Sequence, residues 1–265
     1  MKHVLVYDPE AWTPTSGMRW PVKAAALDTP IEELAQFIAD ADVFVVGSDR
    51  LVGRLALANS LCTPSQRVRF APVSVGEFND LPAASHLMKI AKTLESGRAE
   101  EIQVPTLRLV SSSQPRAILG FQVGFGFVAR MAESWIRHGR KLGTVRFAMD
   151  EARSDHDRVE FQVAHGEKQM AAYLQFCALQ AGWLKMTSGS APTFRHAEAA
   201  TELLKTVPSR RLQAAARKVL GNQASFEVVH ITAHNGYVVD GDVMAHTPSE
   251  VIQVSIGPRV SILKG

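Results

Sequence analysis

Three short stretches of this 265-residue chain have residue types and spacings that chemistry can use. Gly47-Ser48-Asp49 ends the apolar run from Ala41 to Val46. A glycine turn after a buried strand can aim backbone N–H groups at a phosphate. It can equally be an ordinary strand-end turn, with Asp49 capping the next helix. Asn79-Asp80 has a similar pair of readings: support for a phosphate-bearing ligand or metal, or a helix cap before Leu81-Pro82. Asp240-Gly241-Asp242 sets two carboxylates one residue apart. A carboxylate is a general base wherever a hydroxyl must lose its proton, whereas Asp-Gly is also a common tight turn.

Other patterns carry less. Gly120, Gly124 and Gly126 lack the spacing of a dinucleotide fingerprint, and no acidic residue follows in a strand–helix–strand unit, so close strand–helix packing explains them better. Asp155-His156-Asp157 is a run of neighbours on a polar stretch, which rarely converges on one metal ion. His165 and His234 sit in turn sequences. No nucleophile-elbow sequence is visible. Basic residues gather at Arg130, Arg137, Arg140 and Lys141, and again at Arg210, Arg211, Arg217 and Lys218. They read as solvated helix faces, or as greeting points for anionic head groups.

The elements that must position these residues fall into two regimes. His3 to Tyr7 reads as a strand. Thr29-Pro30-Ile31-Glu32 is a helix start, with Thr29 as cap and Pro30 in the first turn. A strand over Ala41–Val46, a helix over Leu51–Leu61, a strand over Val68–Val73 and a helix over Leu81–Leu94 follow. The last helix turns Ala84, Leu87, Met88, Ala91 and Leu94 inward and ends at Gly97. Such alternation predicts a parallel sheet covered by helices. Past residue 105 strands cluster: Leu107–Val110, Ala117–Val123, Val159–Val163, Ala171–Phe176, Phe226–Ala233, Tyr237–Val239, Val251–Ile256 and Val260–Leu263. His234-Asn235-Gly236 reads as a hairpin turn joining two of them. Helical stretches cover Phe127–Trp135 and Ala197–Leu220. The expected fold class is α/β plus β: an α/β domain over 1–106, then a mainly antiparallel β domain with helices over 107–265.

Composition agrees with a folded, globular chain: 46% of residues are hydrophobic and 21% charged, which argues against disorder. A net charge of +3 permits attraction to anionic lipid, yet lacks the basic density of a nucleic-acid binder. Cys62 and Cys177 cannot make a disulfide framework and read as reduced thiols. No apolar run reaches the ~18 residues of a membrane span, and the first residues read as a strand rather than a signal peptide. A cytoplasmic protein is expected.

Four segments, in order, resemble the diacylglycerol, sphingosine and ceramide kinases. Asp42-Val43-Phe44-Val45-Val46-Gly47-Ser48-Asp49-Arg50-Leu51 is similar to their strand and GGDGT loop. Pro72 to Leu81 is similar to their P-x-G-T-x-N-D-F/L segment. Leu119 to Ala129 is similar to the glycine-rich opening of their second domain. Tyr237-Val238-Val239-Asp240-Gly241-Asp242 is similar to their late D-G-E hairpin, followed by closing strands around Pro258. The sequence departs from that pattern in places. Ser48 and Arg50 stand for glycines, Leu51 for threonine, Ser74-Val75 for Gly-Thr, Asp8-Pro9 for Asn-Pro, and Asp242 for glutamate. Fewer residues separate Asp8 from Gly47 than in the family, so one strand–helix unit is expected to be missing.

The resemblance implies a lipid kinase-like phosphotransferase of phospholipid metabolism. It would move the γ-phosphate of ATP to a lipid hydroxyl at a membrane surface, in a cleft between two domains, with Mg²⁺ offsetting phosphate charge. It implies Asp242 as the base and Asp240 as a helper for orientation or metal. Gly47, Ser48, Asp49, Arg50, Gly76, Asn79 and Asp80 would form the nucleotide shelf. The alternative is a catalytically inactive relative that binds a lipid or a partner protein in the same cleft. Because Ser48 and Arg50 restrict backbone approach, ATP binding is expected to be weaker than with an intact glycine loop.

Overall fold

The structure is a computed structural model. It describes residues 2–16, 18–26, 28–39, 41–61, 68–75, 81, 83–84, 86–113, 116–139, 159–178, 185–189, 223–224, 227–232, 236–245 and 250–264. In chain order the elements are β1 (Lys2–Tyr7), β2 (Val22–Ala24), α1 (Ile31–Ile38), β3 (Ala41–Gly47), α2 (Asp49–Asn59), β4 (Arg69–Ser74), α3 (Leu87–Glu95) and β5 (Glu100–Ser111). Then come β6 (Ile118–Gly120), β7 (Gln122–Gly126), α4 (Phe127–Arg137), β8 (Val159–Val163), β9 (Lys168–Ala171), β10 (Tyr173–Cys177), β11 (Lys185–Gly189) and β12 (Gln223–Ala224). The chain closes with β13 (Val228–Thr232), β14 (Tyr237–Val239), β15 (Asp242–Met244) and β16 (Val251–Lys264).

Two compact units divide the chain. The first holds Met1–Thr106, Ile118–Gly120 and Pro258–Gly265; the second holds Leu107–Ala117 and Phe121–Gly257. The first is the expected parallel α/β layer. β1 pairs in parallel with β2 and β3, β3 with β4, and the end of β16 with β4 through Ser261 and Ile262. β3 is buried along its whole length, ADVFVVG, as a parallel strand covered on both faces must be. Leu5, Phe44, Val46, Ala71, Val73, Ile90 and Leu263 form one core cluster. Asp42, which sits in β3 and is 2% exposed, is held by Arg69 through paired 2.7 Å bonds, Nε to Oδ1 and Nη2 to Oδ2. This bidentate contact keeps the Arg69 guanidinium above its ordinary pKa.

Pairing in the second unit is antiparallel. β13 lies between β8 and the first part of β16, and β9 adds to β8. A separate sheet runs β12-β11-β10-β7-β14-β15. The fold is therefore the mixed α/β plus antiparallel β arrangement that the strand–helix pattern indicates.

Several local expectations are corrected. The helix after Thr29 has Pro30, not Thr29, at its N-cap, with no side-chain cap bond. Met88 is 50% exposed rather than inward: α3 begins at Leu87, and Ile90 and Ala91 take the buried stripe. The strands around 228–232 and 237–239 are not partners. β13 pairs with β8 and β16, while β14 pairs with β7 and β15, so the chain changes sheets between them. Val251–Ile256 and Val260–Leu263 are one strand, β16, which carries on through Pro258. The helical stretch over Ala197–Leu220 and the residues His234 and Asn235 lie outside the described residues.

Candidate active site

The late carboxylate pair sits on a two-residue hairpin turn. β14 and β15 pair as Tyr237 with Met244, Val238 with Val243 and Val239 with Asp242, leaving Asp240 and Gly241 as the loop. Both have positive φ, 47° and 89°. That is the backbone sense of a type I′ turn, whose twist matches the flanking strands and for which Asp-Gly is suited. Asp240 tolerates the left-handed region because its short side chain can bond locally, and here it does more. At 5% exposure its Oδ1 accepts the N–H of Phe121 at 2.9 Å and of Gln122 at 2.8 Å, and its own N–H donates to the Gln122 carbonyl at 2.9 Å. Asp240 thus fastens the turn to the start of β7. Asp242, two residues on, is half-buried at the start of β15. The turn separates the two carboxylates by role: one is a buried clamp, the other a carboxylate on a fixed strand end.

The segment after β3 is built differently from the phosphate shelf that the sequence suggests. Ser48 is the N-cap of α2, with extended backbone and no side-chain cap bond. Asp49 is not a cap but the first helical residue. It is 3% exposed, and its Oδ2 accepts the Leu81 N–H at 3.0 Å. Arg50 is also buried, with Nη1 donating to the Leu119 carbonyl at 3.1 Å. A Cβ added at Gly47 would lie 3.1 Å from Leu51 Cδ2 and 3.2 Å from Asp8 Cβ. The close approach that glycine permits here is used by the protein's own side chains. Gly76, Asn79 and Asp80 lie outside the described residues, as do Asp155-His156-Asp157 and the basic residues Arg140, Lys141, Arg210, Arg211, Arg217 and Lys218. Arg137 is exposed, with Nη2 3.4 Å from Glu133 Oε1 on its own helix.

Sequence reading missed Gly53 and Arg54, which shape this region, whereas it named Gly126 as a close-packing glycine. Gly53 lets α2 lie on β6: a Cβ there would fall 2.5 Å from the Leu119 carbonyl oxygen. Arg54 donates from Nη1 to the Ala26 carbonyl at 2.6 Å and from Nη2 to the Thr29 carbonyl. The signal was two arginines at i, i+4 in an otherwise apolar helix, a spacing that puts both on one face. Gly126 has φ +66°, and a Cβ there would meet the Ala172 carbonyl oxygen at 2.5 Å; Phe127 N–H donates to that same oxygen at 3.0 Å. Close packing where β7 enters α4 is therefore the reason for this glycine.

A nucleotide would fit the first unit only in part. Ser48 and the first residues of α2 follow β3, and the backbone N–H groups of a helix start can meet a phosphate. The Asp49 carboxylate and the Arg50 guanidinium are drawn into the protein.

No protein-family sequence model matches the chain, and no curated protein matches it by sequence. Its fold does match solved structures. Two described as diacylglycerol kinases of Bacillus anthracis superpose with TM-scores of 0.60 and 0.58, each at 12% identity. All of this chain is covered in both, with 96% and 97% of those chains. Yeast NADH kinase, solved with NADH, gives 0.53 at 9% identity, over all of this chain and 84% of that one. The chain has the fold of the diacylglycerol kinase structures, and the resemblance read from its four segments holds at the level of fold.

Proposed function

We propose that this protein is a diacylglycerol kinase-like phosphotransferase that passes a phosphoryl group to a lipid hydroxyl, with Asp242 as the general base. The observation that supports it best is the Asp240-Gly241-Asp242 turn. Asp240 locks the turn to β7 through two N–H groups, so Asp242 is presented from a strand end with little freedom. Preorganisation of that kind is what positioning a base requires. Asp242 would take the hydroxyl proton as the oxygen attacks phosphorus, and Asp240 would hold the turn without touching the reacting atoms. ATP, with Mg²⁺, would supply the electrophilic γ-phosphate. Ser48 and the backbone at the start of α2 would face its phosphates.

A second reading is supported by a specific observation. Asp49, Arg50 and Leu51 serve the protein's interior, which favours a relative that binds lipid without turnover. Two assays separate the readings: transfer of radiolabelled γ-phosphate to diacylglycerols, ceramides and sphingoid bases, and thermal stabilisation by ATP with Mg²⁺. Transfer abolished by Asp242→Asn supports the enzyme. No transfer to any lipid, together with no stabilisation, selects the binding protein.

A further inference from the structure

β8, β9, β13 and the first part of β16 form an antiparallel layer with two unlike faces. Val159, Phe161, Val229, Ile231, Ile252 and Val254 are buried and make one face apolar core. Directly paired residues of antiparallel strands share a face, so the register fixes what the other face carries. One row across the strands reads Lys168, Gln162, His230, Gln253. The next reads Met170, Glu160, Thr232, Val251. The rows lie two residues apart along the strands, roughly 7 Å.

A cavity of about 330 Å³ opens on this face, with Glu160, Gln162, His165, Lys168, His230 and Thr232 in its walls. That is room for a small ligand. His165 comes from the turn between β8 and β9, and the turn is strained. Ala164 has φ +48°, a backbone that suits glycine or asparagine. Two bonds impose it: the Ala164 N–H donates to the Val228 carbonyl at 2.9 Å, and Gln162 Nε2 donates to the Gly166 carbonyl at 2.7 Å. Strain of this kind clusters at ligand sites. Here it sets an imidazole in the cavity wall.

The polar groups are sorted along the strands. Toward the turn stand Lys168, His165 and His230, and among the described residues neither imidazole has a hydrogen-bond partner. Lys168 Nζ donates to Glu160 Oε1 at 2.7 Å, which leaves two of its three N–H groups to give. Away from the turn, Glu160 and Thr232 stand directly opposite each other and offer a carboxylate oxygen and a hydroxyl. Val251, from β16, adds no charge. Donors at one end and acceptors at the other select a ligand with an anionic group and a hydroxyl a few ångströms apart.

We propose that this cavity binds a small hydroxylated phosphate monoester, with the phosphate on Lys168, His165 and His230 and a hydroxyl on Glu160 and Thr232. The site shares no residue with the Asp240-Gly241-Asp242 turn and does not rest on the phosphotransferase reading. Such a group can come from a soluble ester or from a lipid head, and Met170 and Val251, both exposed, flank the Glu160–Thr232 pair as an apolar rim. The test uses glycerol 3-phosphate, inorganic phosphate and glycerol in solution. It adds phosphatidylcholine vesicles with and without lysophosphatidic acid, and no nucleotide. Calorimetry and vesicle co-sedimentation read binding. The imidazole C–H resonances of His165 and His230 read location.

Glycerol 3-phosphate is expected to bind more tightly than inorganic phosphate and to shift both histidines, and glycerol to do neither. Lys168→Ala and His230→Ala should each weaken both phosphate probes about tenfold or more, the worth of a hydrogen bond to a charged group. Thr232→Val should weaken glycerol 3-phosphate about fivefold and leave inorganic phosphate unchanged, because it alters the hydroxyl end alone. Ala164→Gly should melt higher, since it relieves a Cβ at positive φ, yet bind more weakly as the turn slackens; this arm stands even if a strand variant fails to fold. Binding of glycerol 3-phosphate in solution assigns a soluble ester, and binding confined to lysophosphatidic acid vesicles assigns a lipid head. No binding of any phosphate probe by the unmodified protein would overturn the proposal. So would full binding by Lys168→Ala and His230→Ala, or an equal loss of both phosphate probes in Thr232→Val.

Discussion

Asp240 and Asp242 differ by two positions and by everything around them. The Asp240 carboxylate is buried and accepts two backbone N–H groups, whereas Asp242 stands half-buried on the far side of the turn. Asp240→Ala should therefore destabilise the fold by about 2–3 kcal/mol, because it orphans two buried donors that bind a charged acceptor and leaves a residue with a Cβ at positive φ. Asp240→Asn keeps an acceptor and a side chain suited to that backbone, and should cost clearly less in denaturant melts. Asp242→Asn should leave the melt unchanged and lower turnover by ~10²–10⁴-fold. Equal loss of stability in both asparagine variants would contradict this division of labour. A different residue governs alkaline behaviour. Burial pushes the Tyr173 hydroxyl up to about 12. Its folded value lies above its unfolded one, near 10, so the stability it contributes is whole below pH 10 and falls as pH rises toward 12. Tyr173→Phe should flatten that decline in melts run across this window.

Among the elements, α2 is the one whose inward contacts sequence pattern disclosed least. Its apolar run announced a helix, and β3 before it was plain from the apolar run Val43-Phe44-Val45-Val46. What the pattern did not disclose is that Arg50, Gly53 and Arg54 face inward to meet carbonyls of distant segments, Leu119, Ala26 and Thr29. Periodicity reports which face is apolar, and an arginine that satisfies a far-off carbonyl breaks that rule for reasons held elsewhere in the chain. The same limit explains β13 and β14. Their flanking turn signal was strong, but each strand found a better partner in a different sheet. The Asp-Gly turn, by contrast, was legible because its backbone demand is local. Gly53→Ala offers a direct check on α2. A Cβ 2.5 Å from a backbone oxygen cannot be relieved by a side-chain rotation, so a loss of roughly 1–3 kcal/mol is expected in chemical denaturation. A neutral or stabilising Gly53→Ala, as helix propensity alone would favour, would show that α2 does not lie so close to β6.

The fold matches diacylglycerol kinase structures along the full chain, at 12% identity. The segment that would cradle phosphates has been rebuilt around internal contacts of Asp49 and Arg50. A ligand present at about 100 times its Kd stabilises a protein by roughly 2.7 kcal/mol. Saturating ATP with Mg²⁺ should therefore raise the melting temperature if the shelf works, and millimolar rather than micromolar nucleotide should be needed. Returning Ser48 to glycine should lower that requirement, while Arg50→Gly should forfeit stability because it removes the bond to Leu119. The most direct measurement of the central claim is transfer of radiolabelled γ-phosphate from ATP to diacylglycerol by the unmodified protein beside Asp242→Asn. The account expects labelled lipid from the first and ~10²–10⁴-fold less from the second, at equal folded fraction. Equal labelling by both proteins, or none by the unmodified protein across diacylglycerols, ceramides and sphingoid bases, would contradict it.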